Sequence, residues 1–198
     1  MASVQDLRDG LARWAAGLRA ASAELNELDG RLGDSDLGTT LDKCALNVHH
    51  ALPAAPEDFA GIFKNCAAAC AKASGSSFGT LLAVAFLNAA KTVPEATALS
   101  AADIARLLHG TVDALSARGG ASLGDKTMLD SIDAIATGLE GATGATDLRL
   151  VAVDAAERAL GEFRGKPNRI GRARMFADKS VGMDDPGMVA VLRMAESI

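Results

Sequence analysis

With 198 residues, 49% of them apolar, and a net charge of −5, the chain can bury one sizeable core and shows no long basic stripe for a nucleic acid. Aromatics make up 4%, tyrosine is absent and alanine is abundant, which favours close-packed helices over strands. MASVQDLRDG has no apolar signal core, and the longest apolar run, TLLAVAFLNAA, is broken by Asn88 and too short to cross a bilayer, so a cytoplasmic protein without a membrane partner is expected.

Val4, Leu7, Leu11, Trp14, Leu18, Ala21, Leu25 and Leu28 alternate spacings of three and four, which predicts one long helix ending near Asp29–Gly30. A second helix fits from about Gly38 to Leu52, with Leu41, Ala45, Val48 and Leu52 inward. Pro53 and Pro56 stop it, and Pro56 suits the start of a third, through Phe59, Phe63, Cys66 and Cys70. ASGSSFG leads into a fourth, TLLAVAFLNAA, apolar nearly all round and so expected at the centre. Ser100 reads as the N-cap of a fifth, with Ile104, Leu108, Val112 and Leu115. RGGASLGDKT precedes a sixth, with Met128, Ile132, Ile135 and Leu139. A seventh runs from about Asp147 to Phe163. A basic, poorly periodic stretch follows, and Pro186 opens a last helix ending near Met194. The expectation is one all-α domain over 1–198, an eight-helix bundle with no convincing strand.

Four loops, 29–40, 73–80, 118–127 and 171–187, are rich in glycine, serine and charge. Short connections make successive helices antiparallel, so all four should lie at one end, each before a helix start. Helix N-termini offer unpaired N–H groups and partial positive charge, a setting for an anion. The three cysteines, Cys44, Cys66 and Cys70, form no even disulfide framework and read as buried thiols.

Asp29, Asp34 and Asp36 crowd the first of these loops. On a continuous helix that spacing would not converge, but across a helix end and the Gly33 turn it can. Hard oxygens suit Mg²⁺, and three carboxylates have room for two such ions alongside phosphates. The competing reading is solvated turn and cap aspartates. Gly75-Ser76-Ser77-Phe78-Gly79 matches a nucleophile elbow, but that needs a preceding strand, and CAAACAKAS reads as helix. GEFRGK is one residue short of a P-loop and lacks its Ser/Thr.

Taken together, the four loops resemble the nucleotide-binding (L) subunit or domain of the dihydroxyacetone kinase family. LDGRLGDSDLG is similar to its LD-x3-GDGDHG motif, ASGSSFGT to its GASGPLFGT-like loop, RGGASLGDKTM to RGKA-x-x-GDKTM, and GRARMFADKSVGMDDPG to GRASYLGERS-x-G-x-x-DPG. The resemblance implies an eight-helix barrel with ADP or ATP at one end and Asp29, Asp34 and Asp36 as magnesium ligands. It puts Leu37, Gly38, Thr39, Thr40, Ser74 and Gly75 at the phosphates. Gly119, Met128 and Arg172 would line the nucleotide, with Asp185, Pro186 and Gly187 closing over it. Ser35 replaces a glycine of the motif, Leu37 a histidine and Gly120 a lysine.

Phosphoryl transfer needs mostly positioning and charge stabilisation. Arg172 is the candidate for neutralising phosphate charge. Lys126 reads first as a surface cation and second in that role. The histidines, His49, His50 and His109, fall within helices and read as structural. The family's ketose is held by a separate K-type subunit, so this chain is expected to be one half of a kinase for dihydroxyacetone or a related short-chain ketose, inactive alone. The phosphate would come from ATP, or through a retained ADP rephosphorylated by a phosphotransferase-system protein. The alternatives are a two-metal phosphohydrolase and a non-catalytic helical interaction protein.

Overall fold

The alternating apolar stripe at the start of the chain becomes a single helix of 29 residues, α1 (Val4–Leu32). In the computed structural model, which describes residues 1–73, 76–143 and 146–198, seven further α-helices follow. They are α2 (Leu37–Ala51), α3 (Phe59–Lys72), α4 (Ser77–Thr92), α5 (Ala101–Gly119), α6 (Met128–Glu140), α7 (Leu148–Arg164) and α8 (Pro186–Ser197). Each packs on the next, and α8 packs back on α1, which closes the ring. No helix among the described residues is long and apolar enough to cross a membrane.

Local chemistry sets most of the boundaries. Ser3 with Asp6, Ser100 with Asp103 and Thr127 with Asp130 form reciprocal capping boxes at the starts of α1, α5 and α6. Each satisfies N–H groups that a helix start leaves open. Single aspartates, Asp147 and Asp185, cap α7 and α8. The third helix starts at Phe59 rather than Pro56, because Asp58 accepts the Gly61 N–H at 2.7 Å and so defines the cap. Pro53 lies in a short 3-10 turn, Leu52–Ala54.

Two expectations change. The fourth helix is not central: α4 is one stave of the ring, with Leu87 exposed. Its Phe86 meets Trp14 of α1 edge to face, ring centres 5.9 Å apart, which fills the interior between staves that are not neighbours in the ring. A two-residue antiparallel pair also exists, β1 (Ala2–Ser3) with β2 (Ala98–Leu99), Ala2 opposite Leu99. Two residues are too few to show an alternating pattern. Phe59, Phe63, Ala89, Ala90, Leu99 and Leu107 form a separate apolar cluster that closes this end of the bundle.

The other end gathers the even-numbered helix starts. Gly79 of α4 lies against Thr40 and Cys44 of α2, at 3.5 and 3.6 Å from where a Cβ would stand. Gly187 of α8 lies against Phe78 of α4 and Met128 of α6, at 3.5 and 3.7 Å on the same measure. The first turn of α2 presses on α1 so closely that a Cβ at Gly38 would meet the Ser22 carbonyl. Only glycine permits that approach.

A carboxylate cluster among four helix starts

α1 runs past the expected Asp29–Gly30 end to Leu32, so Asp29 projects from its last turn. Asp34 and Asp36 come from the turn that follows. One oxygen from each of the three carboxylates lies within 4.8 Å of the others, the one such group among the described residues. Ser35, between them, takes a left-handed φ of 63°. Asp29 is half-buried and Asp34 and Asp36 are exposed.

Hydrogen bonds sort the donors at this corner. Oδ2 of Asp29 accepts the Asp36 N–H at 2.9 Å and the Leu37 N–H at 3.3 Å. Asn26 of α1 accepts the Thr39 N–H and donates to the Thr39 hydroxyl, both at 3.0 Å. The Thr40 N–H goes to the Asp36 carbonyl at 2.9 Å. Leu37 is buried, and the Gly38 N–H has no partner among the described residues. Arg172 pairs with Asp34, bringing a cation from a segment far along the chain onto the carboxylates. Three hard oxygen donors in reach of one another fit Mg²⁺, and Asp29 still has Oδ1 to offer.

The remaining expected residues surround this corner unevenly. Gly119 is exposed at the end of α5, beside Leu81 of α4. Met128 is buried at the start of α6. Asp185 and Pro186 are buried, and Asp185 faces inward: it accepts the Met188 N–H at 2.9 Å and the Asn168 amide at 2.7 Å. Burial pushes its carboxyl up to about 6, against those hydrogen bonds. Gly187 is half-buried between Phe78 and Met128. Ser74 and Gly75 lie outside the described residues.

Lys126 is not a surface cation. It is fully buried, and its ammonium donates to the Lys166 and Ser180 carbonyls at 2.8 and 3.0 Å. Burial lowers its pKa. Asn26 and Asn168 belong to none of the four loop motifs as read from the sequence. Asn26 sits one turn before Asp29 on the same helix, which is the only hint the chain offers; Asn168 lies in the unperiodic stretch and offers none. His49 and His50 are exposed on α2, and His109 lies between Asp133 and Glu140 of α6, at 3.3 and 3.1 Å.

The DAK2 domain matches residues 31–198. The PEP-dependent dihydroxyacetone kinase, ADP-binding subunit DhaL, of Escherichia coli (strain K12) is 29% identical over 89% of this chain and 87% of its own. The PTS-dependent dihydroxyacetone kinase, ADP-binding subunit DhaL, of Lactococcus lactis subsp. lactis (strain IL1403) is 27% identical over 100% of this chain and 97% of its own. The dihydroxyacetone kinase of C. freundii, solved in complex with AMP-PNP and Mg²⁺, shares the fold at a TM-score of 0.76 and 23% identity, over 96% of this chain. The chain spans 32% of the length of that protein.

Proposed function

The chain belongs to the DAK2 domain family, and from that premise we propose that it is the magnesium-nucleotide subunit of a ketose kinase. In this reading residues 1–198 form one nucleotide-binding domain, and a separate K-type subunit presents dihydroxyacetone or a related short-chain ketose. The observation that carries it is the carboxylate cluster of Asp29, Asp34 and Asp36 beside the converging starts of α2, α4, α6 and α8. Carboxylates alone would repel phosphates. Placed next to open helix starts, with a divalent cation between, they hold them.

Asp29, Asp34 and Asp36 would hold magnesium, which when bound offsets the joined charge of carboxylates and phosphates. The Gly38 N–H, at the start of α2, points to where the helix favours negative charge. Arg172 already sits on Asp34, so its guanidinium lies where phosphate charge would gather. In this reading the base would rest near Phe78 and Gly187, which pack over the buried Met128. Leu37 replaces a histidine of the family motif, and its side chain is turned into the core. The site therefore binds and orients a nucleotide, and the acceptor comes from the partner. The PEP- and PTS-dependent relatives, matched over most of their length, support a retained ADP that a phosphotransferase-system protein recharges.

Calorimetric titration of nucleotide-stripped protein with ADP and ATP, with and without Mg²⁺, tests this alongside Asp34→Asn. Magnesium-dependent binding that the variant loses is expected, with ADP released much more slowly than ATP if ADP is retained. Equal release would favour direct use of ATP. Absence of binding to folded protein sinks the assignment, and steady phosphate release from a simple phosphoester without a partner would indicate a phosphohydrolase.

A further inference from the structure

Arg172 lies on a loop that leaves the bundle after α7 and returns before α8, and both feet of that loop rest on one side chain. The Lys126 ammonium donates to the carbonyls of Lys166 at 2.8 Å, Ser180 at 3.0 Å and Arg164 at 3.5 Å. Three donors meet three acceptors, as a fully buried ammonium requires. Asn168 adds a second tie between the feet: its N–H donates to Ser180 Oγ at 2.9 Å, and its amide to the Lys126 carbonyl at 2.9 Å and to Asp185 at 2.7 Å. The Gly182 N–H donates to the Arg164 carbonyl at 2.8 Å. Lys126 itself holds a left-handed φ of 63°, a conformation that persists when the surroundings over-determine it.

Between the feet, Arg172–Ser180 forms a kinked 3-10 segment that touches α1 and buries Ala173, but the Arg172 side chain itself is held only lightly. The Arg172 side chain is 60% exposed, and its partner Asp34 is 43% exposed. An exposed ion pair contributes little and does not fix a backbone. The direction of Arg172 therefore depends on the backbone that carries it, which rests on α1 and on the two feet. We propose that Lys126 is a positioning residue for the nucleotide site: its ammonium clamps both feet of the 167–179 loop and so sets Arg172 against the aspartates. The clamp is read from geometry; its consequence for nucleotide rests on the function proposed above.

Two readouts test it on the full chain. In Lys126→Met, hydrogen exchange of amides 168–181 should rise about tenfold while those of α1 to α3 stay as they were. Mg·ADP affinity should fall about tenfold, yet fall less than about twofold further when the same change is made in an Arg172→Gln background, because both act through one contact. Unchanged exchange, exchange raised alike in every helix, or losses that simply add would overturn the proposal. Should Lys126→Met not fold, Lys126→Gln is judged by the same criteria; its shorter, uncharged side chain offers two donors at most in place of three. If the wild type binds no nucleotide, the function reading fails, and the exchange measurement alone decides the clamp.

Discussion

One oxygen of Asp29 accepts the backbone N–H of Asp36 at 2.9 Å, so the last turn of α1 caps the first turn of α2. The same side chain belongs to the carboxylate cluster. Its two roles separate by substitution. Asp29→Asn keeps an oxygen for the cap and removes the charge, so stability should hold while magnesium-dependent nucleotide binding is lost. Asp29→Ala should also lower stability, by about 1 kcal/mol, the usual size of a lost helix cap. Urea denaturation of the two variants side by side makes the comparison; equal stabilities would show that the cap contributes nothing.

Ser35 occupies a left-handed conformation where the resembled motif has glycine. The Cβ of a serine is strained there, and the strain exceeds the entropy that a glycine adds to the unfolded chain. Ser35→Gly should therefore stabilise the protein by roughly 0.5–1 kcal/mol. A lower denaturation midpoint in the variant would contradict this.

Asp185 gives stability a pH dependence of definite sign. Its carboxyl is pushed up to about 6 by burial, above its value in an unfolded chain. A group shifted that way favours folding when protonated. Its contribution is full below about pH 4 and is lost as pH rises through about 6. Asp185→Asn does not titrate. The stability of wild type minus that of the variant should thus decline by up to roughly 3 kcal/mol between about pH 4 and pH 7. A difference that stays constant over this range would mean that ionised Asp185 is well solvated.

The three cysteines are buried, and burial pushes the Cys66 thiol up to about 12. The Cys70 thiol is raised as well, by its hydrogen bond to Cys44 and by burial. The thiolate is the reactive form. The Cys44 thiol is lowered by its hydrogen bond with Cys70, so burial alone shields it. Native protein should leave all three untouched by a disulfide reagent at neutral pH, and denaturant should release three. Fast labelling of a native thiol would require an opening near α2 or α3.

Apolar spacing, caps and proline stops act within a few residues, so the eight helices and the four loops are legible in the chain alone. The order of loops and staves then followed from short connections, and so did their meeting at one end. Asp29, Asp34 and Asp36 are legible as three charges around a glycine turn. Which polar groups are enclosed depends on how distant segments pack. Lys126 looks like any surface lysine until α7 and the returning loop cover it; its acceptors lie 38 to 54 residues away. Asp185 looks like a simple helix cap until Asn168 closes over it. The pairing of Arg172 with Asp34 joins segments that share no local pattern. Burial of a charge depends on what packs above it, and that information lies in distant parts of the chain.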